Sequence, residues 1–263
     1  MTLMAGGVAD AHDAPAVDAP RKSWDFSGSL HEIARSCQRA LDDNPAQPAA
    51  LVGMCLVAMA SHQNKAAIQM ASAAVEAAPQ MPAAWVALGQ ALRAAEQYEE
   101  AAEAFGRAIR LDGTNALARL GLGDLKMAEG RAEAAIAEFE MALRREPAMI
   151  AAHLGLGNAL ALLGRAEAAL ARYETALTLR PRLAEGEFAA GFALQRLGRL
   201  KEAETRYRRA ITARRDFAAA WINLGSLLRE VGQDVYAEAA LRKALELRPD
   251  LISGWVNLGR IDI

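Results

Sequence analysis

The chain has 263 residues, of which 53% are hydrophobic and 5% aromatic, with a formal net charge of −2 at pH 7. This balance argues against a nucleic-acid partner, because nucleic-acid-binding proteins usually carry a strong basic excess. The two cysteines, Cys37 and Cys55, are too few for a disulfide framework or a zinc site. The most apolar windows are about ten residues long, well below the ~20 residues that span a bilayer. We therefore expect a cytoplasmic protein that holds no metal or cofactor and does not insert into a membrane.

Residues 1–27 are rich in Ala, Asp and Pro and show no hydrophobic periodicity, which predicts a disordered tail. Residues 28–47 match only the second half of the 34-residue repeat that follows in the chain, with Ile33, Cys37 and Ala40 in register. We expect this segment to form a helix that caps the array, because the end faces of stacked repeats need cover.

A 34-residue period organises the chain from residue 48 onward, with six complete repeats over 48–251 and the first helix of a further repeat over 252–263. Residues that occupy the same position in successive repeats form a column. One early column holds Trp85, Trp221 and Trp255, and in most repeats Leu and Gly follow it three and four residues later. Later in the repeat, two alanine columns lie seven residues apart with a bulky column between them, occupied by Phe105, Phe139, Tyr173, Tyr207 and Leu241. Each of these spacings lines one face of a helix.

Glycines separate the two sets of columns, at Gly130, Gly164, Gly198 and Gly232. A glycine at this place can end the first helix in a left-handed cap before the second helix begins. Each repeat is therefore predicted to be an antiparallel helix pair. Gly and Ala at the contact columns allow close approach of the backbones, while Phe or Tyr fills the gap between neighbouring pairs.

The W-x2-L-G pattern stands in Trp85-Val-Ala-Leu-Gly89, Trp221-Ile-Asn-Leu-Gly225 and Trp255-Val-Asn-Leu-Gly259. Together with the alanine columns, this pattern resembles the tetratricopeptide repeat family over about residues 28–263. The resemblance implies an all-α fold, a right-handed superhelical solenoid of antiparallel helix pairs. Departures from the family pattern predict looser packing in the middle and at the front of the array. Those in the middle lie at Arg119, Lys126, His153 and Glu187, and those at the front lie at Cys55 and Ala71.

Similar proteins bind an extended peptide or a partner helix in a concave groove that the first helices line. The resemblance therefore implies a protein–protein interaction scaffold whose partner is a protein or peptide, and not an enzyme. The candidate groove residues are Gln90, Arg93, Asp124, Asn158, Phe188, Phe192, Gln195, Asn223, Ser226, Arg229 and Asn257. The aliphatic column in the same helices, as at Val86 and Leu120, has an alternative interpretation as packing between adjacent first helices.

Asn223 and Asn257, immediately before the Leu-Gly pair, also resemble the asparagine ladder of O-linked N-acetylglucosamine transferases, which holds substrate backbone amides. This likeness implies an alternative function, the N-terminal substrate-recruiting arm of a larger glycosyltransferase. It leaves open whether a catalytic domain follows Ile263. A carboxylate clamp of the chaperone co-factor type is not expected, because only Asn158 falls in a matching asparagine column. The end faces of the array also offer a route to end-to-end self-association.

Basic residues cluster between positions 196 and 215, where they outnumber the acidic residues Glu202 and Glu204. The cluster is either a solvated outer face or a docking patch for an acidic partner, and binding to such a patch would be sensitive to salt. Its members are Arg196, Arg199, Lys201, Arg206, Arg208, Arg209, Arg214 and Arg215.

Overall fold

The computed structural model describes residues 30–260, which form fourteen α-helices and no β-strand. The helices are α1 (Leu30–Asp43), α2 (Pro48–Ala60), α3 (Asn64–Ala77), α4 (Pro82–Ala94), α5 (Tyr98–Leu111), α6 (Ala116–Ala128), α7 (Ala132–Arg145), α8 (Ile150–Leu162), α9 (Ala166–Leu179), α10 (Ala184–Arg196), α11 (Leu200–Ala213), α12 (Ala218–Glu230), α13 (Asp234–Leu247) and α14 (Ile252–Gly259). The all-α repeat class predicted from the sequence is confirmed. The predicted tail over residues 1–27 lies outside the described residues.

The helices repeat with the period of the sequence. The even-numbered helices α2 to α14 are the first helices of the repeats and begin 34 residues apart, and α1 occupies the predicted capping segment. Gly130, Gly164, Gly198 and Gly232 have φ between 72° and 74° after the first helices, which confirms the predicted left-handed caps. His62 and Glu96 occupy the same cap in the first two repeats, with φ of 58° and 62°.

Contacts between the helices fall into two compact units with their boundary inside α8. Residues 30–159 are called the N-terminal unit and residues 160–260 the C-terminal unit. In the N-terminal unit α1 to α7 pack in chain order, and in the C-terminal unit α9 to α14 do so. The first helices also pack on one another, α2 on α4 and α4 on α6 in one unit, and α10 on α12 and α12 on α14 in the other.

Small residues bring the helices together around an aromatic ring. Both alanine columns are 0% exposed in all six repeats, from Ala67 and Ala74 to Ala237 and Ala244. A Cβ added to Gly89 would lie 2.7 Å from the ring of Phe105, and one added to Gly121 would lie 2.4 Å from it. Because Cβ atoms do not approach other atoms so closely, glycine is required for α4 and α6 to close on this ring. The prediction that the aromatic residue fills the gap between neighbouring pairs is confirmed here.

The tryptophan column joins each first helix to the loop before it. The indole Nε1 of Trp85 donates to the carbonyl oxygen of Pro79, six residues earlier, over 2.8 Å. Trp221 and Trp255 make the equivalent bond over 3.1 Å and 3.0 Å. His153 replaces tryptophan in this column, and its Nε2 lies 2.9 Å from the carbonyl oxygen six residues earlier. Histidine therefore reproduces the bond that tryptophan makes in the other repeats.

Candidate functional site

The candidate residues of the N-terminal unit lie on α4, α6 and α8. Arg93 of α4 and Asp124 of α6 form an ion pair, with 3.7 Å between Nη1 and Oδ2, and their side chains are 27% and 24% exposed. Gln90 lies one turn before Arg93 and is buried, at 9% exposure. Asn158 on α8 is half-buried. The face shared by α4 and α6 thus carries an accessible charged pair, while Gln90 offers little surface to a ligand.

The environment of the charged pair leaves part of its hydrogen-bonding capacity unused. Burial raises the pKa of Asp124 to about 6, and the charge of Arg93 opposes this rise. The Nε of Arg93 is buried and has no hydrogen-bond partner within the described chain. A guanidinium with a free N–H group beside a poorly stabilised carboxylate can exchange bonds with the polar groups of a ligand.

The two candidate phenylalanines of α10 differ in exposure. Phe188 is 5% exposed, and its ring centroid lies 5.9 Å from that of Tyr207 and 5.0 Å from that of Phe217. Phe192, one turn later, is half-buried. Phe188 therefore belongs to the packing between α10, α11 and the start of α12. Phe192 is the aromatic side chain on α10 that a ligand can reach.

A chain of hydrogen bonds links α10, α11 and α12. The hydroxyl of Tyr207 donates to Oε1 of Gln195 over 2.9 Å, and Nε2 of Gln195 donates to Oε2 of Glu230 over 3.2 Å. Burial raises the pKa of Tyr207, whereas a hydrogen bond from the side chain of Asn223 lowers it. The hydroxyl therefore stays protonated at neutral pH and holds the predicted amide of Gln195 in a fixed position, with the predicted amide of Asn223 beside it.

Tyr207 and Glu230 were not among the residues predicted from the sequence. The available signal was the presence of tyrosine, as also at Tyr173, in a column that otherwise holds phenylalanine or an aliphatic residue, because a buried tyrosine hydroxyl needs a hydrogen-bond partner. The sequence does not identify that partner, since Gln195 precedes Tyr207 by 12 residues on another helix.

The other candidates of the C-terminal unit are Ser226 and Arg229 on α12 and Asn257 on α14, and all three are half-buried. The Nε of Arg229 is buried and has no hydrogen-bond partner among residues 30–260. Because α10, α12 and α14 pack side by side, the structure brings the accessible candidates onto neighbouring helices. We define the amide face as Phe192, Gln195, Asn223, Ser226, Arg229 and Asn257.

The basic cluster is partly neutralised. Its ion pairs are Arg199 with Glu202, Arg206 with Glu174 and Glu187, Arg208 with Glu204, and Arg214 with Glu185. Within the described part of the chain, the members without an ion-pair partner are Arg196, Lys201, Arg209 and Arg215. The paired arginines fit the interpretation of the cluster as a solvated outer face. The members without an ion-pair partner fit the interpretation as a docking patch for an acidic partner.

Two further findings concern residues 30–260 as a group. No three His, Cys, Asp or Glu side chains come together there in a way that could hold a metal ion. None of the helices in this range is long and apolar enough to cross a membrane.

The stacked helix pairs define a helical repeat protein. Two sequence profiles of the tetratricopeptide repeat match the chain, one over residues 82–115 and the other over 120–184 and 188–252. These matches cover more than half of the sequence, and the chain belongs to the tetratricopeptide repeat family. Membership of this family supports a protein-interaction scaffold, and the repeat fold is of a non-catalytic type.

Several solved structures share the fold. A chain of the APC/C hetero-tetramer Cut9-Hcn1 matches with a TM-score of 0.83 and 17% identity over 89% of this chain, which spans 46% of that one. PilF of Pseudomonas aeruginosa matches with a TM-score of 0.71 and 17% identity, covering 81% of this chain and 97% of its own. YrrB, described as a TPR protein with an unusual peptide-binding site, matches with a TM-score of 0.57 and 24% identity, covering 71% and 96%. Likeness at these identities shows the fold alone. A comparison with curated proteins gives no match.

Proposed function

We propose that the amide face of the C-terminal unit binds an extended peptide of a protein partner. The observation that carries the proposal is the chain of hydrogen bonds from Tyr207 through Gln195 to Glu230, with the side chain of Asn223 beside Tyr207. The chain fixes the half-buried amide of Gln195 on α10 before a ligand arrives, and the half-buried amide of Asn223 lies on the neighbouring first helix α12. A side-chain amide can donate to and accept from one peptide group, so fixed amides suit a peptide backbone. The fixed orientation of Gln195 also reduces the side-chain entropy lost on binding.

The residues around the amides favour a ligand with both apolar and polar groups. Phe192 supplies aromatic surface, Ser226 supplies a hydroxyl, and the Nε–H of Arg229 has no acceptor within the described chain. A peptide with an apolar side chain near Phe192 and a carbonyl or carboxylate near Arg229 would satisfy these groups. Apolar anchors bordered by polar contacts are a common way of recognising a peptide in a groove. YrrB, which has the same fold, is described as having an unusual peptide-binding site, and this supports a peptide as the ligand.

A random peptide-display library tests the proposal. Peptides are selected on the full chain and then measured on two variants, Ser226→Arg on the amide face and Ala239→Arg on the exposed side of α13. We expect the selected peptides to lose about tenfold or more in affinity on Ser226→Arg, because a long cation occupies the middle of the face. Affinity for Ala239→Arg should stay within about twofold of the original. Equal affinity for both variants would show that the peptides bind elsewhere.

The alternative function, the recruiting arm of a larger glycosyltransferase, gains less from the described residues. Its sequence signature was an asparagine ladder, and Asn223 lies beside the hydroxyl of Tyr207. In the N-terminal unit, Gly121 and Gly155 occupy the same column as Asn223. A Cβ at either glycine would lie within 2.7 Å of the phenylalanine ring of the preceding repeat. These repeats therefore exclude asparagine at the ladder position, so a continuous ladder cannot run through them.

A further inference from the structure

An open cleft of about 980 Å³ lies in the C-terminal unit, lined by α9, α11, the turn between α9 and α10, and Glu187 of α10. Its apolar lining includes Leu177, Pro181 and Ala213, and its basic lining consists of Arg182, Arg206 and Arg209. We call it the arginine cleft. Sites for small ligands usually have volumes of about 300–1,000 Å³, so the cleft can accept a few residues of a peptide. The amide face, in contrast, lies on the first helices.

The turn beside the cleft has an unusual backbone. Arg182 has φ of 64°, in the left-handed region. Apart from His62 and Glu96, which end first helices, it is the one non-glycine residue of residues 30–260 with positive φ. This conformation is unfavourable for a residue other than glycine, and such strain is often found at functional sites. The turn places a strained, charged residue in the lining of the cleft.

The charges of the cleft do not balance. Arg206 lies 3.1 Å from Glu187 and 3.4 Å from Glu174, and these two carboxylates also belong to the lining. Arg182 and Arg209 take part in none of the ion pairs within residues 30–260. Three guanidinium groups therefore face two carboxylates, and the two carboxylates are both engaged by the same arginine.

We propose that the arginine cleft binds an acidic segment of a protein partner. One or more carboxylates of that segment contact Arg182 and Arg209, and an apolar side chain packs on Leu177 and Pro181. Charge complementarity selects this occupant, because guanidinium groups without a partner form their strongest hydrogen bonds with carboxylates. The site does not depend on the amide face, so the failure of one proposal leaves the other testable.

Fluorescence anisotropy with the full chain tests the proposal. The probe is a labelled peptide of alternating Glu, Leu and Asp residues, and the neutral control replaces Glu and Asp by Gln and Asn. Arg209→Gln and Arg182→Gly each remove one unpaired charge, and the glycine also relieves the backbone strain so that folding is not impaired. Arg208→Gln is the matched control, because Arg208 adjoins Arg209 in the sequence but is paired with Glu204.

We expect the acidic probe to bind the wild-type chain and the neutral peptide to bind at least about tenfold more weakly. Arg209→Gln and Arg182→Gly should each weaken binding of the acidic probe about fivefold, while Arg208→Gln changes it less than about twofold. Equal losses for Arg208→Gln and Arg209→Gln would overturn the proposal, since they would show general attraction to the basic outer face. Equal binding of the neutral peptide would overturn it as well.

Other occupants give different results. If replacing Asp10, Asp13 and Asp18 by Asn raises the affinity for the probe, the chain's own first residues compete for the cleft and the partner assignment is overturned. If Arg209→Gln dissociates a dimer in the analytical ultracentrifuge, the occupant is a second copy of the chain. Loss of probe binding in Ser226→Arg, with Arg209→Gln unaffected, would place the acidic peptide on the amide face instead.

Discussion

The helix pairs α6–α7 and α10–α11 occupy equivalent places in their repeats, and both lack the tryptophan found in other repeats. In α6–α7, Nη1 of Arg119 lies 2.9 Å from Oε2 of Glu138, 19 residues later. In α10–α11, Oε2 of Glu187 lies 3.1 Å from Nη1 of Arg206, also 19 residues later. The charges are therefore reversed between two equivalent pairs. This column therefore tolerates either charge when the following helix carries the opposite one.

The two ion pairs differ in the third charged residue that joins each of them. Glu138 is 8% exposed and accepts a second bond from Lys126, whose equivalent in α10 is Leu194. Burial works to raise the pKa of Glu138, but the hydrogen bonds from Lys126 and Arg119 outweigh it and hold this pKa below its usual range. Arg206 instead has a second carboxylate, Glu174, at 3.4 Å. Lys126 and Arg119 were expected to loosen the middle of the array, and the structure shows that Glu138 compensates both.

The largest loss of stability is expected when the negative charge of Glu138 is replaced. Glu138→Arg would place three cations together in a poorly solvated site between α6 and α7. Breaking a buried ion pair so that a charge is left without a partner costs about 3–5 kcal/mol. We expect the free energy of unfolding to fall by about this amount, measured by urea denaturation followed by circular dichroism.

Glu140→Arg provides the control, because Glu140 lies two residues further along α7 and is exposed. Its free energy of unfolding should change by less than about 0.5 kcal/mol. If both variants lose the same amount, the network around Glu138 does not stabilise the pair.

A second experiment converts one pair into the other. Adding Arg119→Glu and Lys126→Leu to Glu138→Arg gives α6–α7 the residues that α10–α11 has at Glu187, Leu194 and Arg206. We expect the triple variant to recover all but about 1–2 kcal/mol of the stability lost in Glu138→Arg. The double variant Glu138→Arg with Arg119→Glu keeps Lys126. If it recovered as much stability as the triple variant, Lys126 would have no part in the difference between the two pairs.

The repeat was readable from the sequence because it depends on local patterns. Helix periodicity and the cap at Gly130 involve neighbouring residues, and both were predicted correctly. The partner of Arg119 was not predicted, because Glu138 lies on the next helix in a column without a recurring residue type. Burial was one of the two interpretations of the column that holds Phe188, but the contact of its ring with Phe217, in the loop before α12, was not predicted. Contacts of this kind require the positions of three helices, which no spacing in the sequence provides.

Asp124 differs from Glu138 in that its charged partner, Arg93, does not outweigh the effect of burial on its pKa. Its pKa in the folded state is about 6, above the unfolded value of 3.8, so ionisation destabilises the fold. This cost is absent below the unfolded pKa and complete above pH 6, so stability falls as the pH rises between these values. Glu138 has the opposite sign, because its lowered pKa contributes stability that is lost as the pH falls through it.

We therefore expect Asp124→Asn to raise the free energy of unfolding at pH 7 by about 1–2 kcal/mol and to change it little at pH 4. Urea denaturation at both pH values measures the difference. A variant that is less stable at pH 7 would show that the bond to Arg93 outweighs burial.

The smallest effect concerns the helix caps, where the first two repeats differ from the later ones. His62 and Glu96 adopt the left-handed conformation that glycine adopts in the other caps, with φ of 58° and 62°. Replacing either by glycine should raise the free energy of unfolding by about 0.5–1 kcal/mol, because glycine has no steric penalty there. Thermal unfolding of His62→Gly and Glu96→Gly, separately and combined, measures the gain.

The reverse substitution separates backbone strain from packing. A Cβ added to Gly130 would meet no atom within 4 Å, so Gly130→Ala should lose about 1 kcal/mol through the backbone conformation alone. Gly89→Ala should lose more, since its Cβ would lie 2.7 Å from Phe105. If Gly130→Ala were neutral, the left-handed cap would carry no penalty for alanine, and the gain expected at His62 and Glu96 would disappear with it.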